Sequence, residues 1–278
     1  MATVSQTEQR DTSRTDDTTE LAVELRNVGV AYGGGRGRRS DRFVAVADAS
    51  FTVGRNELVA IIGPSGCGKS SLLSAIAGLV PFTGDLRVIG EPVDGPGVNR
   101  GFVFQAASLL PWRTVLRNTT YGLELRGAPR ASRTRAAEQA LALVGLTEFQ
   151  DSYPKQLSGG MQQRVNFARA LAADPPVLLM DEPFAALDAQ TREHLQTELL
   201  SIWELTDKSG IFVTHQIDEA VLLADRVVVL SRGPRSSVAR IIDVPLPRPR
   251  PADVRSDPKF LRTVAELRSL LDAFYQEG

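Results

Sequence analysis

A glycine-rich segment followed by lysine and serine is the clearest candidate for chemistry in this sequence. Its residues are Gly63, Pro64, Ser65, Gly66, Cys67, Gly68, Lys69, Ser70 and Ser71. Glycines let backbone amides turn inward around a phosphate, and a helix that begins there adds the positive end of its dipole. In this pattern Lys69 reaches the β- and γ-phosphates of a nucleotide, and the Ser70 hydroxyl can ligate Mg²⁺. An apolar strand before the segment and an apolar helix after it favour this interpretation over a chance glycine-rich turn. Cys67 is expected to contribute only its backbone, with no role for its thiol.

Two acidic residues, Asp181 and Glu182, follow the apolar run at residues 177–180. A carboxylate at the end of a buried strand can hold Mg²⁺ opposite a phosphate loop, which is the role we expect for Asp181. Glu182 would project toward the γ-phosphate and polarise an attacking water. The alternative is a pair of acids that caps the next helix, and the phosphate loop earlier in the chain argues against it.

A second phosphate-binding helix start is predicted at Leu157, Ser158, Gly159, Gly160 and Met161. A serine and two glycines before a helix leave backbone amides and a hydroxyl free to bind an anion. Because the first loop already holds one nucleotide, the second suggests contact with a nucleotide bound by another copy in a two-fold dimer. The alternative is an ordinary Ser-Gly helix start.

The elements that must position these residues alternate between short apolar runs and helical periodicity. Continuous apolar runs typical of strands buried on both faces lie at residues 58–62, 102–104, 177–180, 211–213 and 227–230. Helical periodicity lies at residues 72–79, 161–171 and 195–205. This alternation predicts an α/β core with right-handed crossovers, preceded by strands near residues 21–26 and 46–53 and a turn in which Asn56 takes a positive φ.

The remaining segments divide the chain further. The polar residues 1–20 are expected to be a disordered arm, and helices without a strand partner indicate a helical insertion at about residues 106–165. The Pro/Arg-rich residues 244–251 predict an extended strap. A final helix is predicted with Asp257 as its cap and Pro258 in its first position. Its apolar stripe is predicted to comprise Leu261, Val264, Leu267, Leu271 and Phe274.

Composition excludes several classes of protein. The 278 residues carry 32 Lys+Arg and 33 Asp+Glu, so an overall basic footprint for nucleic acid is absent. No stretch approaches the roughly 18 apolar residues of a membrane helix. A hydrophobic fraction of 42% fits a folded chain. The single cysteine is compatible with a reducing cytoplasm. Composition thus predicts a soluble intracellular protein.

The ordered motifs resemble those of the ATP-binding subunit of ABC transporters, over residues 21–245. Residues 63–70 match the Walker A motif, 157–161 the LSGGQ-type signature and 177–182 the Walker B motif. The resemblance implies a P-loop NTPase core with a mostly parallel sheet, an N-terminal antiparallel β subdomain and an inserted α-helical subdomain. It also implies ATP and Mg²⁺ as ligands.

Single residues extend the resemblance in the family's order. Gln105 matches the Q-loop glutamine, which in the family ligates Mg²⁺ and senses the permease, and His215 matches the switch histidine that holds the γ-phosphate. Tyr32 takes the place of the aromatic that stacks on adenine, with a core role as the alternative. The D-loop, which in the family crosses the dimer interface, corresponds to Ala186, Leu187 and Asp188.

The nitrate, sulfonate and taurine importer branch is similar at residues 94–105, 109–112 and 246–250. Trp112 is expected either in an apolar patch that docks the permease or as the residue that closes the helical lobe. The chain departs from the family pattern in a longer, basic loop after Tyr32, at residues 36–42, and in Gln216 after the switch histidine.

The resemblance therefore implies an ATPase that forms a homodimer and powers the import of a small anion. Glu182 would orient water, His215 would hold the γ-phosphate and Lys69 would neutralise developing charge. The implied partners are integral membrane permease subunits at the cytoplasmic face and, indirectly, a periplasmic or extracellular substrate-binding protein. The alternatives are a soluble ABC ATPase that acts on ribosomes or DNA and a regulatory protein that uses ATP only to dimerise, and kinases rank last because they lack the second phosphate-binding motif.

Overall fold

The computed structural model describes residues 21–33, 43–185, 187–251 and 253–276. The predicted arm at residues 1–20, the basic loop at residues 36–42 and Ala186 lie outside the described residues.

The strands of the described chain form one sheet. They are β1 (Leu21–Tyr32), β2 (Phe43–Gly54), β3 (Leu58–Ile62), β4 (Phe82–Val88), β5 (Glu91–Pro92), β6 (Arg100–Val103), β7 (Val177–Asp181), β8 (Ser209–Val213), β9 (Arg226–Leu230) and β10 (Ser236–Asp243). Their spatial order is β5-β4-β1-β2-β10-β9-β3-β8-β7-β6.

The sheet has a parallel and an antiparallel part. Strands β9, β3, β8, β7 and β6 are parallel to one another, whereas β5, β4, β1 and β2 pair antiparallel with one another. Strand β10 joins the two parts, since it runs antiparallel to β9 and parallel to β2. The α/β fold class predicted from the sequence is therefore confirmed, including the antiparallel N-terminal part.

The continuous apolar run of β3 reflects burial on both faces of the sheet. Val59 and Ile61 contribute to one hydrophobic cluster, and Leu58, Ala60 and Ile62 contribute to the other. All five side chains are buried. Because β3 leads directly into the phosphate loop, this packing fixes the position from which the loop starts.

The helices cover the sheet and fill the predicted insertion. They are α1 (Lys69–Ile76), α2 (Val115–Thr119), α3 (Tyr121–Leu125), α4 (Arg130–Leu143), α5 (Gly159–Ala172), α6 (Ala189–Leu205), α7 (Ile217–Leu223) and α8 (Pro258–Gln276). Helices α5 and α6 begin before the periodic segments predicted at residues 161–171 and 195–205. Ser158 and Asp188 cap them by accepting hydrogen bonds from the amides of Met161 and Thr191. Asn56 adopts the predicted positive φ, at 58°.

The C-terminal helix α8 corrects one detail of the predicted apolar stripe. Leu261 is 55% exposed, whereas its neighbour Phe260 is 3% exposed and belongs to the core. Positions 260 and 261 both lie about one turn before Val264, so periodicity alone does not choose between them. The predicted cap is confirmed, since Asp257 Oδ1 accepts a hydrogen bond from the Lys259 amide at 2.6 Å.

The Pro/Arg-rich strap binds the C-terminal end of α7. Arg250 donates to the carbonyl oxygens of Val221, Leu222 and Ala224, and its side chain is fully buried. Arg248 donates to the Leu223 carbonyl at 3.1 Å and to the carboxylate of Asp225. The last carbonyls of a helix have no intrahelical partner, so the two arginines satisfy groups that would otherwise be buried alone.

Removing the guanidinium of Arg250 is expected to destabilise the protein. Burial lowers the pKa of Arg250 to about 10, so the side chain remains charged at neutral pH. We expect Arg250→Met to lower the free energy of unfolding by about 3 kcal/mol, because it leaves buried carbonyls unpaired. Urea unfolding monitored by circular dichroism measures the loss, with Arg268→Met on the exposed face of α8 as the control. Equal stability of the Arg250→Met variant and the parent would show that Arg250 contributes no net stabilisation.

Candidate active site

The phosphate loop connects β3 to α1 in a conformation that requires glycine. Gly66 and Gly68 have positive φ angles of 75° and 94°. A Cβ at Gly68 would lie 2.8 Å from Cγ2 of Val46, so steric crowding adds to the backbone requirement. The loop thus turns closely over β2 and opens onto the first turn of α1, where backbone amides are free to bind an anion.

Lys69 is held across this loop. Its Nζ donates to the carbonyl oxygens of Gly63 at 2.9 Å and Pro64 at 3.1 Å, and the residue is only 9% exposed. Ser65, Gly66 and Ser70 are exposed, Ser71 is half-buried, and Pro64 and Cys67 are buried. Burial raises the pKa of the Cys67 thiol, which leaves that side chain protonated under the loop, as expected of a residue that offers only its backbone.

Two residues outside the phosphate loop contact it, and neither was predicted from the sequence. The Ser236 hydroxyl donates a hydrogen bond to the Cys67 carbonyl, and its oxygen lies 3.3 Å from the Ala45 carbonyl oxygen. Gly233 packs so closely that a Cβ there would lie 2.7 Å from the Gly66 carbonyl oxygen. Gly233 lies in the turn between β9 and β10, and Ser236 is the first residue of β10. Nothing in their local sequence indicates contact with the loop.

Asp181 and Glu182 lie at the carboxyl end of β7, next to the loop. The Ser70 hydroxyl donates to Asp181 Oδ1 at 2.8 Å, so the two predicted Mg²⁺ ligands are adjacent. Glu182 has a φ of 44°, in the left-handed region that non-glycine residues rarely adopt. Its amide donates to the Val213 carbonyl at 3.0 Å, which holds this strained conformation against the end of β8.

Gln105 and His215 converge on the Glu182 carboxylate. Gln105 Nε2 donates to Glu182 Oε2 at 3.1 Å, and His215 Nδ1 lies 3.4 Å from the same oxygen. The side chain of Glu182 is 21% exposed and that of His215 is 57% exposed. Three residues that are 33 or more positions apart are therefore gathered at one edge of the parallel sheet, where a phosphate bound by the loop would meet them.

The position of Gln105 depends on two further residues that were not anticipated. Gln163 and Asn166, both buried on α5, donate to the carbonyl oxygen of Phe104 at 3.1 and 2.9 Å. Helix α5 begins at the predicted signature, so this pair ties the signature helix to the segment that carries Gln105.

The oxygen donors at this edge fit Mg²⁺. Burial raises the pKa of Asp181, and a divalent cation beside the carboxylate would favour its charged form. The described residues contain no group of three or more His, Cys, Asp or Glu that could hold a metal ion alone. This donor set suits Mg²⁺, which is commonly bound by one or two protein oxygens together with substrate phosphates.

The signature motif begins a helix that packs on other elements than the phosphate-loop helix. Ser158 and Gly159 are exposed, Leu157 is buried, and a Cβ at Gly160 would lie 3.3 Å from Leu187 Cδ2. Helix α5 packs on α4, α2 and β6, whereas α1 packs on β7 and β8. The two predicted phosphate-binding helix starts therefore belong to different parts of the molecule, and Leu187 brings the D-loop next to the signature.

Two aromatic residues remain exposed. Tyr32, at the end of β1, is 40% exposed, so its ring is accessible for stacking. Trp112 is 70% exposed, and this exposure contradicts the alternative in which it closes the helical lobe. His194 lies on the surface of α6, 3.0 Å from Glu198.

The sequence model that describes ABC transporters matches residues 46–185 of this chain. The match includes the phosphate loop, the signature and both acids at the end of β7. The chain belongs to the ABC transporter family. In the part of this ABC protein that the structure describes, every helix is too short or too polar to cross a bilayer.

Its relatives include ATP-binding subunits of importers. An ABC transporter ATP-binding protein of Methanocaldococcus jannaschii, itself uncharacterized, is 54% identical over 76% of this chain and 79% of its own length. The taurine import ATP-binding protein of Pseudomonas entomophila is 49% identical over 78% of this chain and 86% of its own. These relatives confirm the resemblance predicted from the sequence, both to the family and to the branch that contains the taurine importers.

Solved structures agree with the family assignment. A dimeric ATP-binding cassette in a post-hydrolysis state bound to ADP and phosphate has a TM-score of 0.70 at 33% identity, and it covers 80% of this chain and 98% of its own. A second dimeric ABC transporter cassette has a TM-score of 0.71 at 32% identity, with the same coverage. The ABC protein described here is thus an ATPase with the fold of these cassettes.

Proposed function

We propose that this ABC protein hydrolyses ATP to drive the import of taurine or a related small sulfonate through a separate membrane permease. The observation that carries the proposal is the identity of 45–52% to four taurine import ATP-binding proteins, over 70–78% of this chain. Nitrate and other small anions handled by the same branch remain within the proposal. The substrate would contact the permease and a substrate-binding protein outside the membrane, and not this chain.

Two copies of the chain would bind two ATP molecules between them. Each nucleotide would lie between the Lys69 loop of one copy and the Ser158 helix start of its partner. Support comes from the exposure of Ser158 and Gly159 and from the different packing of α1 and α5. An exposed signature whose helix packs apart from α1 would receive its phosphate from a second copy.

Within each site the residues of this chain would divide the work. Lys69 would contact the β- and γ-phosphates, and Tyr32 would stack on the adenine. Ser70, Asp181 and Gln105 would hold Mg²⁺, which supplies positive charge to the phosphates when bound. Glu182 would accept a hydrogen bond from the attacking water and orient it. His215, whose Nδ1 lies next to the Glu182 carboxylate, would contact the γ-phosphate.

The permease would dock beside Gln105, on the helical insertion. Exposed Trp112 borders a groove of about 500 Å³ whose lining also includes Leu116 and a set of basic residues, Arg113, Arg117, Arg130 and Arg133. An exposed aromatic residue beside basic side chains is typical of a protein interface. Movement of the docked permease would reach the site through the segment from Gln105 to Trp112.

Copurification with a membrane subunit tests this function. The chain is expressed with candidate permease and substrate-binding proteins of its own organism. ATP hydrolysis by the reconstituted complex is measured with taurine, nitrate and an aliphatic sulfonate. We expect copurification and stimulation of about tenfold by taurine when the binding protein is present. Trp112→Ala is expected to weaken copurification without changing hydrolysis by the isolated chain. A chain that hydrolyses ATP but associates with ribosomes or DNA instead would support the soluble ABC ATPase and contradict the importer.

A further inference from the structure

One arginine links the loop before α6 to the loop that carries His215. The Nη2 of Arg192, in the first turn of α6, donates to the Leu187 carbonyl at 2.9 Å. Its Nη1 donates to the Gln216 side-chain oxygen at 3.4 Å. Leu187 belongs to the D-loop and Gln216 directly follows the switch histidine, so one planar group contacts both loops.

A buried carboxylate lies behind this contact. Glu219, which is 4% exposed, accepts hydrogen bonds from Thr214 Oγ1 at 2.7 Å and Gln196 Nε2 at 3.2 Å. The Thr214 hydroxyl in turn accepts a hydrogen bond from the Gln216 amide at 3.0 Å. His215 therefore lies between two residues whose positions depend on the same cluster.

The cluster leaves one strong donor unused. Arg192 Nε lies 3.7 Å from Glu219 Oε1, which is an ion-pair distance but too long for a hydrogen bond. Within the described residues this buried nitrogen has no hydrogen-bond partner. An arrangement in which Arg192 moves toward Glu219 would gain a charge-assisted hydrogen bond, so the observed position is not the one that best satisfies the guanidinium.

We propose that Arg192 is a positioning residue that couples the D-loop to the switch-histidine loop. The inference rests on the proposed function, in which the D-loop meets the partner copy and His215 meets the γ-phosphate. Because the guanidinium is rigid and planar, a shift of the Leu187 carbonyl on dimer closure moves the group relative to both Gln216 and Glu219. Closure by the partner is thereby transmitted to His215 within one chain.

The test replaces Arg192, which contacts both loops, with a lysine that cannot contact both in the same way. In Arg192→Lys the charge is retained, but an ammonium on a flexible stem does not hold both loops in the same geometry. We expect kcat for ATP hydrolysis to fall about tenfold while the dissociation constant for ATP stays within about twofold. Gln216→Ala removes the other end of the contact and is expected to lower kcat to a similar extent.

Combining the two substitutions separates coupling from a general loss of structure. If both act on one contact, the double variant has about the same kcat as either single variant. Arg262→Lys, on the exposed face of α8, is the control and is expected to match the parent. Thermal unfolding midpoints are compared for all variants, and Gln216→Ala, which replaces a half-buried loop side chain, carries the test alone if Arg192→Lys fails to fold.

The outcomes distinguish this inference from the proposed function. Suppose that the parent hydrolyses ATP as a dimer. The coupling is then overturned, and the proposed function left intact, if Arg192→Lys has the parental kcat or if the two effects multiply in the double variant. A parent that hydrolyses ATP without dimerising overturns both.

Discussion

Replacing Glu182 with glutamine is expected to reduce ATP hydrolysis by about 1,000-fold while ATP binding is retained. The substitution removes the charge that polarises water but preserves an amide oxygen that can still accept the hydrogen bond from Gln105, now 3.1 Å away. Glutamine can adopt the left-handed backbone conformation of Glu182 as readily as glutamate, since neither side chain is β-branched. Phosphate release and equilibrium binding of a fluorescent ATP analogue measure the two quantities separately.

The matched control is Glu193→Gln, which removes the same charge from the exposed surface of α6. It is expected to hydrolyse ATP at the parental rate. If Glu182→Gln also hydrolyses ATP at that rate, another group must activate the water and the assignment of Glu182 as the base is wrong.

Replacing Lys69 with alanine is expected to weaken ATP binding by about 100-fold or more, since a charge-assisted contact to two phosphates is lost in a nearly buried position. The same substitution removes the hydrogen bonds to the Gly63 and Pro64 carbonyls, so the loop itself loses an internal contact. Isothermal titration with ATP and with ADP measures the effect, and the loss is expected to be larger for ATP because its γ-phosphate contact is also removed.

Lys259→Ala provides the control for Lys69→Ala because Lys259 is exposed in the first turn of α8. It is expected to bind both nucleotides as the parent does. Parental affinity in Lys69→Ala, with an intact fold, would place the phosphates elsewhere than in this loop.

Local sequence patterns predicted the candidate site residues because most of them lie at the end of a strand with a recognisable apolar run. The apolar runs of β3, β7 and β8 end at the glycine loop, at Asp181 and beside His215, and parallel strands bring their carboxyl ends to one edge. The convergence of Gln105 and His215 on Glu182 is the structural consequence of that topology.

The supporting residues could not be predicted because most of their partners are distant in the chain and many are backbone carbonyls. Ser236 lies under the phosphate loop, Arg250 caps α7, and Arg192 spans two loops. In each case a side chain satisfies backbone carbonyls, and a backbone carbonyl carries no sequence signature. The choice of Phe260 over Leu261 on α8 likewise depends on how the helix docks against the core, which periodicity leaves open.

The central claim is that two copies share each nucleotide between the Lys69 loop of one and the Ser158 helix start of the other. The mass of Glu182→Gln measured by light scattering with Mg²⁺ and ATP tests it most directly. We predict that the mass doubles on addition of ATP, and that adding Ser158→Arg keeps the chain monomeric although it still binds ATP. A protein that stays monomeric with ATP bound, or one in which Ser158→Arg dimerises as well as its parent, would contradict the claim.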